Sequence, residues 1–167
     1  MKTLLAAACL LLVAVTVRAD ERGSDPSLIG FTELQTNLVG GRHANVRTMR
    51  AVVVVADGTG RRLIAEELAD EPDAWTQFAG WSPDGTQAIV SRGWQEPENA
   101  RWEVEHKTFR MTPGKWSLDS YLVEVATGKV SNVTAVDRVS HFNGGLFFLP
   151  GERGLGFTPL INGVSNS

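Results

Sequence analysis

Cysteine is all but missing from this chain. Cys9 is the single one, and it lies inside an apolar N-terminal run. The remainder can therefore form no disulfide and offers no thiolate as nucleophile or metal ligand. Basic runs are missing too. Lys and Arg number 16 against 19 Asp and Glu, for a formal net charge of −3. Nothing in that balance neutralises a string of phosphates, so nucleic acid is not an expected partner. Beyond the N-terminal run, no apolar stretch approaches the about 20 residues of a spanning helix, so no membrane span is expected in the mature chain. The chain has no Gly-x-Ser-x-Gly, no His-Glu-x-x-His, no phosphate loop and no EF-hand loop. Asp57-Gly58-Thr59-Gly60 is glycine-rich but lies between strand-like segments, with no helix N-terminus behind it to hold phosphate. His43, His106 and His141 show no ligand spacing, so no metal and no cofactor are expected.

What the chain does have begins with an export signal. Lys2 supplies a positive charge, and residues 4–17 follow without a charged side chain. That length suits a signal-peptide core. Val17 and Ala19 stand three and one positions before Asp20, with Ser24, Asp25 and Pro26 as polar spacer. Cleavage after Ala19 and a periplasmic or secreted destination are expected. Cys9 does not make a lipoprotein site, because Ala6 stands where leucine is usual. Removing residues 1–19 from 167 leaves 148, and loss of Lys2 and Arg18 takes the formal charge from −3 to −5. One domain with a real core fits that length.

The mature chain reads as short strands separated by turn signals. Residues 28–35 alternate, and 49–56 contain Val52, Val53, Val54 and Val55, a run suited to a strand buried on both faces. Asp57-Gly58-Thr59-Gly60 turns it, and 61–65 return. Segments 75–81 and 86–92 flank Ser82-Pro83-Asp84-Gly85. Segments 118–125 and 130–136 flank Ala126-Thr127-Gly128-Lys129. Segments 144–149 and 155–161 flank Pro150-Gly151-Glu152-Arg153-Gly154. Residues 66–73 and 97–107 are short helix candidates without a sustained apolar stripe. The turn at Gly60 is matched at Gly128 and Pro83 is matched at Pro150, a period of 67–68 residues. Each unit reads as a four-stranded antiparallel meander, the form of a propeller blade. The period exceeds the roughly 40–45 residues of an ordinary blade, and an insertion at 94–117 accounts for the excess.

The run Gly80-Trp81-Ser82-Pro83-Asp84-Gly85-Thr86-Gln87-Ala88-Ile89-Val90 resembles the signature of WD-like Pro-Asp repeats of TolB-like propellers. Leu122-Val123-Glu124-Val125-Ala126-Thr127-Gly128-Lys129, followed by Asn132-Val133-Thr134, is similar to the second hairpin of that repeat, as is 51–63. The last unit departs from the pattern, with Pro150-Gly151-Glu152 in place of Pro-Asp-Gly. The chain also lacks room for the α/β domain that precedes the propeller in TolB itself. The resemblance implies an all-β fold of β-propeller blades. About two and a half blades are present, fewer than the about four of a closed propeller, so an incomplete propeller with exposed sheet edges is expected. Domain organisation is then signal peptide 1–19 and partial propeller 20–167.

In the signature Pro83 presets φ, Asp84 bonds the following backbone and Gly85 accepts a left-handed conformation, so these three are expected to build a turn. Trp81 is suited to packing between sheets. Glu96, Glu98, Glu103 and Glu105 interleave with Arg101, Lys107, Arg110 and Lys115, which reads as a solvated, ion-paired insertion. The sequon Asn132-Val133-Thr134 falls on an expected strand. All tight turns belong to one end of the meander, and the long segments 36–48, 66–74 and 94–117 to the other. Loops held by a rigid sheet are where recognition sits. That end carries His43, Arg47, Trp94, Trp102, His106, Arg110 and Trp116, the aromatic and Arg types of binding hot spots. The alternative role for these tryptophans is anchoring the insertion. The expected function is an exported binding module for a protein or small extracytoplasmic ligand, without catalysis of its own. Two alternatives stand beside it: the propeller part of a larger hydrolase of the prolyl-oligopeptidase type, and a truncated, nonfunctional product.

Overall fold

The computed structural model describes residues 27–40, 42–110, 115–134, 141–143, 147–149, 154–156, 159–161 and 164–165. Strands form where β-branched and alternating segments lie between turn residues. The first sheet is β1 (Leu28–Glu33), β2 (Arg50–Val55) and β3 (Arg62–Leu63), antiparallel in that order. A short helix, α1 (Arg42–Val46), sits between β1 and β2. Next come β4 (Ala74–Trp81), β5 (Gln87–Gln95), β6 (Trp116–Glu124) and β7 (Val130–Asn132), in which β5, β6 and β7 each pair antiparallel with the strand before. These four make the meander expected of one unit. The insertion between β5 and β6 carries α2 (Pro97–His106), and a 3-10 turn, Glu66–Ala69, links the two sheets. The chain is all-β, built of antiparallel sheets with few helices, and among the described residues no sheet closes into a barrel.

The tight turns repeat one device. In Asp57-Gly58-Thr59 and Asp84-Gly85-Thr86 the glycine takes φ +88° and +72°, where a Cβ would be strained. Asp57 Oδ1 accepts from the Thr59 amide at 2.8 Å and its hydroxyl at 2.7 Å. Asp84 Oδ1 accepts from the Thr86 amide at 3.1 Å, the Thr86 hydroxyl at 2.9 Å and Ser82 Oγ at 2.6 Å. Pro83 and Asp84 are exposed, and the Asp84 carboxylate spends its bonds inside the turn. Thr127 takes the aspartate's place in the third turn, where its Oγ1 accepts from the Lys129 amide at 3.2 Å.

Alternation along each strand sets the packing. Ala51, Val53, Ile64 and Ala65 of the first unit meet Ala88, Val90 and Val123 of the second in one core, with Leu68, Phe78, Trp81, Val125 and Val130 at its margin. Each fully buried valine side chain contributes roughly 1.5–3 kcal/mol. β4 is an edge strand, and the first sheet satisfies part of its edge. The Thr76 amide donates to Met49 O at 3.1 Å, and the Phe78 amide to Thr32 Oγ1 at 3.0 Å. The Ala51 amide in turn donates to Thr76 Oγ1 at 3.0 Å. Gly30 lets the Phe78 ring lie directly on β1, since a Cβ there would stand 2.1 Å from the ring.

The two units share a register. Val52 pairs with Leu63 as Tyr121 pairs with Asn132, and Phe31 pairs with Val52 as Val90 pairs with Tyr121. The Ile64 amide donates to Ala51 O as the Val133 amide does to Ser120 O, each at 3.0 Å.

The last segment behaves differently from a detached third unit. β8 (His141–Asn143) and β11 (Pro159–Ile161) pair antiparallel, as do β9 (Phe147–Phe148) and β10 (Leu155–Gly156), and together they trace one hairpin. The expected turn residues 150–153 lie outside the described residues. β12 (Val164–Ser165) pairs with β11. The hairpin joins the second sheet through β8, which runs parallel to β6 at Ser117 and Leu118. The short β7 covers only Tyr121 to Val123 of that edge, leaving the first part of β6 open to another strand.

Candidate functional site

The insertion is anchored by its own chemistry. Glu96 caps α2, its Oε2 accepting from the Asn99 amide at 3.0 Å, and Pro97 opens the helix, where its missing N–H costs nothing. Burial pushes the Glu96 carboxyl up. The amides of Asn99 and Glu98 and the Lys115 ammonium, 3.6 Å away, outweigh that and hold it below its ordinary value. Asn99 is fully buried and Glu103 is 2 % exposed. Asn99 Oδ1 accepts from Arg110 Nε at 2.7 Å, and its Nδ2 donates to Arg110 O at 3.0 Å. Glu103 Oε1 accepts from the Arg110 amide at 2.7 Å. The Arg110 guanidinium lies 4.2 Å from the centre of the Trp102 ring, a cation–π contact. His106 stacks on the same ring at 4.2 Å and 13°, with Nδ1 donating to Trp102 O at 2.9 Å.

Of the seven expected binding residues, the structure thus gathers Trp102, His106 and Arg110 into one cluster, turned toward the insertion's own loop. Trp94 is half-buried in β5 opposite Ala74 and Ser117. Trp116 opens β6 opposite Gln95. Both are therefore strand residues rather than loop residues. The side chains of His43, on α1, and of Trp116 lie outside the described residues. Arg47 stands apart from the cluster, its Nε 2.6 Å from Asp73 Oδ1. In β5, beside the insertion, Gln95 is 4 % exposed, and its Nε2 has no hydrogen-bond partner among the described residues.

The other side of α2 faces a recess of about 480 Å³ between the two helices. Val39, Gly40, Ala44 and Arg47 line it from the α1 side, and Pro97, Ala100, Arg101, Val104 and Glu105 from α2. The α2 positions follow the i, i+3, i+4, i+7 spacing of one helical face. That spacing was the signal in the sequence, masked because Pro, Arg and Glu dilute the apolar stripe. Nearby Leu34, Leu38 and Val39 are exposed, Val39 completely, and in the insertion Phe109 is exposed as well. The long connections of both units therefore meet at one end of the sheets.

The opposite end holds the tight turns. A recess of about 720 Å³ there is lined by Ser27, Leu28, Arg62, the segment Trp81 to Thr86, Val125 and Ala126. The hydroxyl of Ser82, then the amide and hydroxyl of Thr86, hold the Asp84 carboxyl below its usual value. The Thr59 hydroxyl and amide do the same for Asp57. These carboxylates are occupied in holding turns. Among the described residues, no group of three His, Cys, Asp or Glu side chains could hold a metal ion, and no helix is long and apolar enough to cross a membrane. No protein-family model, curated protein or solved structure matches this chain.

Proposed function

We propose that the chain is an exported, TolB-like propeller segment that acts as a binding module. Its recognition end is the one carrying α1 and α2, and its ligand is a protein or a small extracytoplasmic molecule. The observation that carries this reading is the helix-walled recess. It combines apolar walls (Val39, Ala44, Ala100, Val104) with charged groups at Arg47, Arg101 and Glu105, the mixture of apolar surface and few polar groups that binding sites use. The meander β4–β7 with its Pro83-Asp84-Gly85 turn supports the blade assignment, and residues 1–19 support export. The Trp102 cluster holds the insertion in place beside the recess.

A photo-crosslinking residue at Val104, in the chain expressed in an export-competent bacterial host, tests the site. Adducts are expected from position 104 and not from position 58 at the turn end. Arg101→Glu should reduce the yield. Equal labelling from both ends, or none from 104, counts against the reading. Mass spectrometry of the same material should find Asp20 as the first residue, and an intact Met1 would refute export.

A further inference from the structure

Arg101 and Glu105 both line the recess between α1 and α2, about one helical turn apart on α2. Among the described residues, neither has an ion-pair or hydrogen-bond partner, and they do not pair with each other. Their order is the reason: an acid pairs well with a base four residues after it, and here the base comes first. Other charges of the insertion are engaged, Glu96 with Lys115 and Glu103 with the Arg110 amide. On the facing wall, Arg47 is balanced by Asp73 at 2.6 Å. Among the described residues the recess thus gathers equal charge of both signs, and it keeps an open cation beside an open anion. A purely anionic ligand would meet Glu105, and a purely cationic one would meet Arg101. The remaining lining is aliphatic or small: Val39, Gly40, Ala44, Pro97, Ala100 and Val104. None of these offers a ring on which a nucleobase could stack.

We propose that this recess takes a single α-amino acid with an aliphatic side chain. The inference rests on the recess being the recognition site, as proposed above, and names its ligand class. The α-carboxylate meets the Arg101 guanidinium, a planar fork that matches carboxylates. The α-ammonium meets the Glu105 carboxylate, and the side chain lies against Ala44, Ala100 and Val104. Residues four apart on a helix have β-carbons about 5–6 Å apart, so both heads can reach two groups carried on one carbon. A longer peptide moves its terminal charges apart by about 3.3–3.6 Å per residue, away from this match. The volume of about 480 Å³ lies toward the lower end of small-molecule sites, as a ligand of that size requires.

Isothermal titration of the whole chain with L-leucine tests this, and saturable binding is expected. N-acetyl-leucine lacks the ammonium and leucinamide lacks the carboxylate, so each should bind about tenfold more weakly. Glu105→Gln should weaken leucine and leave N-acetyl-leucine unchanged. Arg101→Gln should weaken leucine and leave leucinamide unchanged. Both side chains are exposed, so the near-ultraviolet circular dichroism of the variants should match the parent. Leucine binding indifferent to both variants, or blocked forms that bind as tightly as leucine, overturns the proposal. If position 104 crosslinks to a protein and leucine gives no heat, the amino-acid assignment falls and the recess remains the recognition site. If position 104 gives no adduct and leucine no heat, both readings fall.

Discussion

Gly30→Ala is the sharpest perturbation of the sheet packing. Gly30 lies in the extended strand β1, where alanine fits the backbone, so any loss must come from the neighbour. A Cβ there would stand 2.1, 2.2 and 2.6 Å from Cε2, Cζ and Cδ2 of Phe78, against 3.4–4 Å for ordinary contact. The ring must retreat by more than an ångström. It is also held edge-on to Trp81 at 5.1 Å and 61°, a pairing worth about 0.5–1.5 kcal/mol. Overpacking costs typically about 1–3 kcal/mol. The lower entropy of the unfolded alanine chain returns about 0.4–1 kcal/mol. The expected net loss is roughly 2 kcal/mol, or a Tm lower by roughly 4–8 °C for a domain of this size. Urea and thermal unfolding measure it. In a Phe78→Leu background the cost of Gly30→Ala should shrink, because the offending ring carbons are gone and contacting residues couple. A higher Tm for Gly30→Ala, or an equal loss in both backgrounds, would refute the packing of β1 on β4.

Three further outcomes are expected. Asp57 and Asp84 have carboxyls lowered from 3.8 by their turn hydrogen bonds, so their stabilisation is present above that value and fades as pH falls through the lowered ones. Asp84→Asn should flatten the acid limb of a Tm–pH curve, and an unchanged limb would deny Asp84 that role. Asn99→Ala strips Arg110 of two partners, at a cost of about 1–3 kcal/mol, confined to the insertion. Trypsin should then cut faster at Arg101, Lys107 or Arg110 while β-sheet circular dichroism holds. Gln95→Met removes an orphaned buried amide and should stabilise the chain by about 1 kcal/mol, read as a higher urea midpoint.

The local elements were legible in the residues because their causes are local. Asp57-Gly58-Thr59 and Pro83-Asp84-Gly85 carry their turn geometry within a few bonds, and the Val52 to Val55 run can bury both faces only as a strand. The meander and the place of its insertion followed from the spacing of those turns. Tertiary structure alone decided three things. Strand β8 lies parallel to β6 because β7 is too short to cover that edge, and competition between distant strands for one edge leaves no local mark. Trp94 and Trp116 became strand residues because β5 and β6 keep pairing past the expected start of the insertion, out to Gln95 and Trp116. Helix α2 buries Asn99 and Glu103 and turns a mixed face to the recess, the reverse of the usual apolar burial. Asn99 and Glu103 can be buried only because Arg110, brought back by the loop, supplies the donors and acceptor they need, and no periodicity in a sequence records where a returning loop will place its hydrogen bonds.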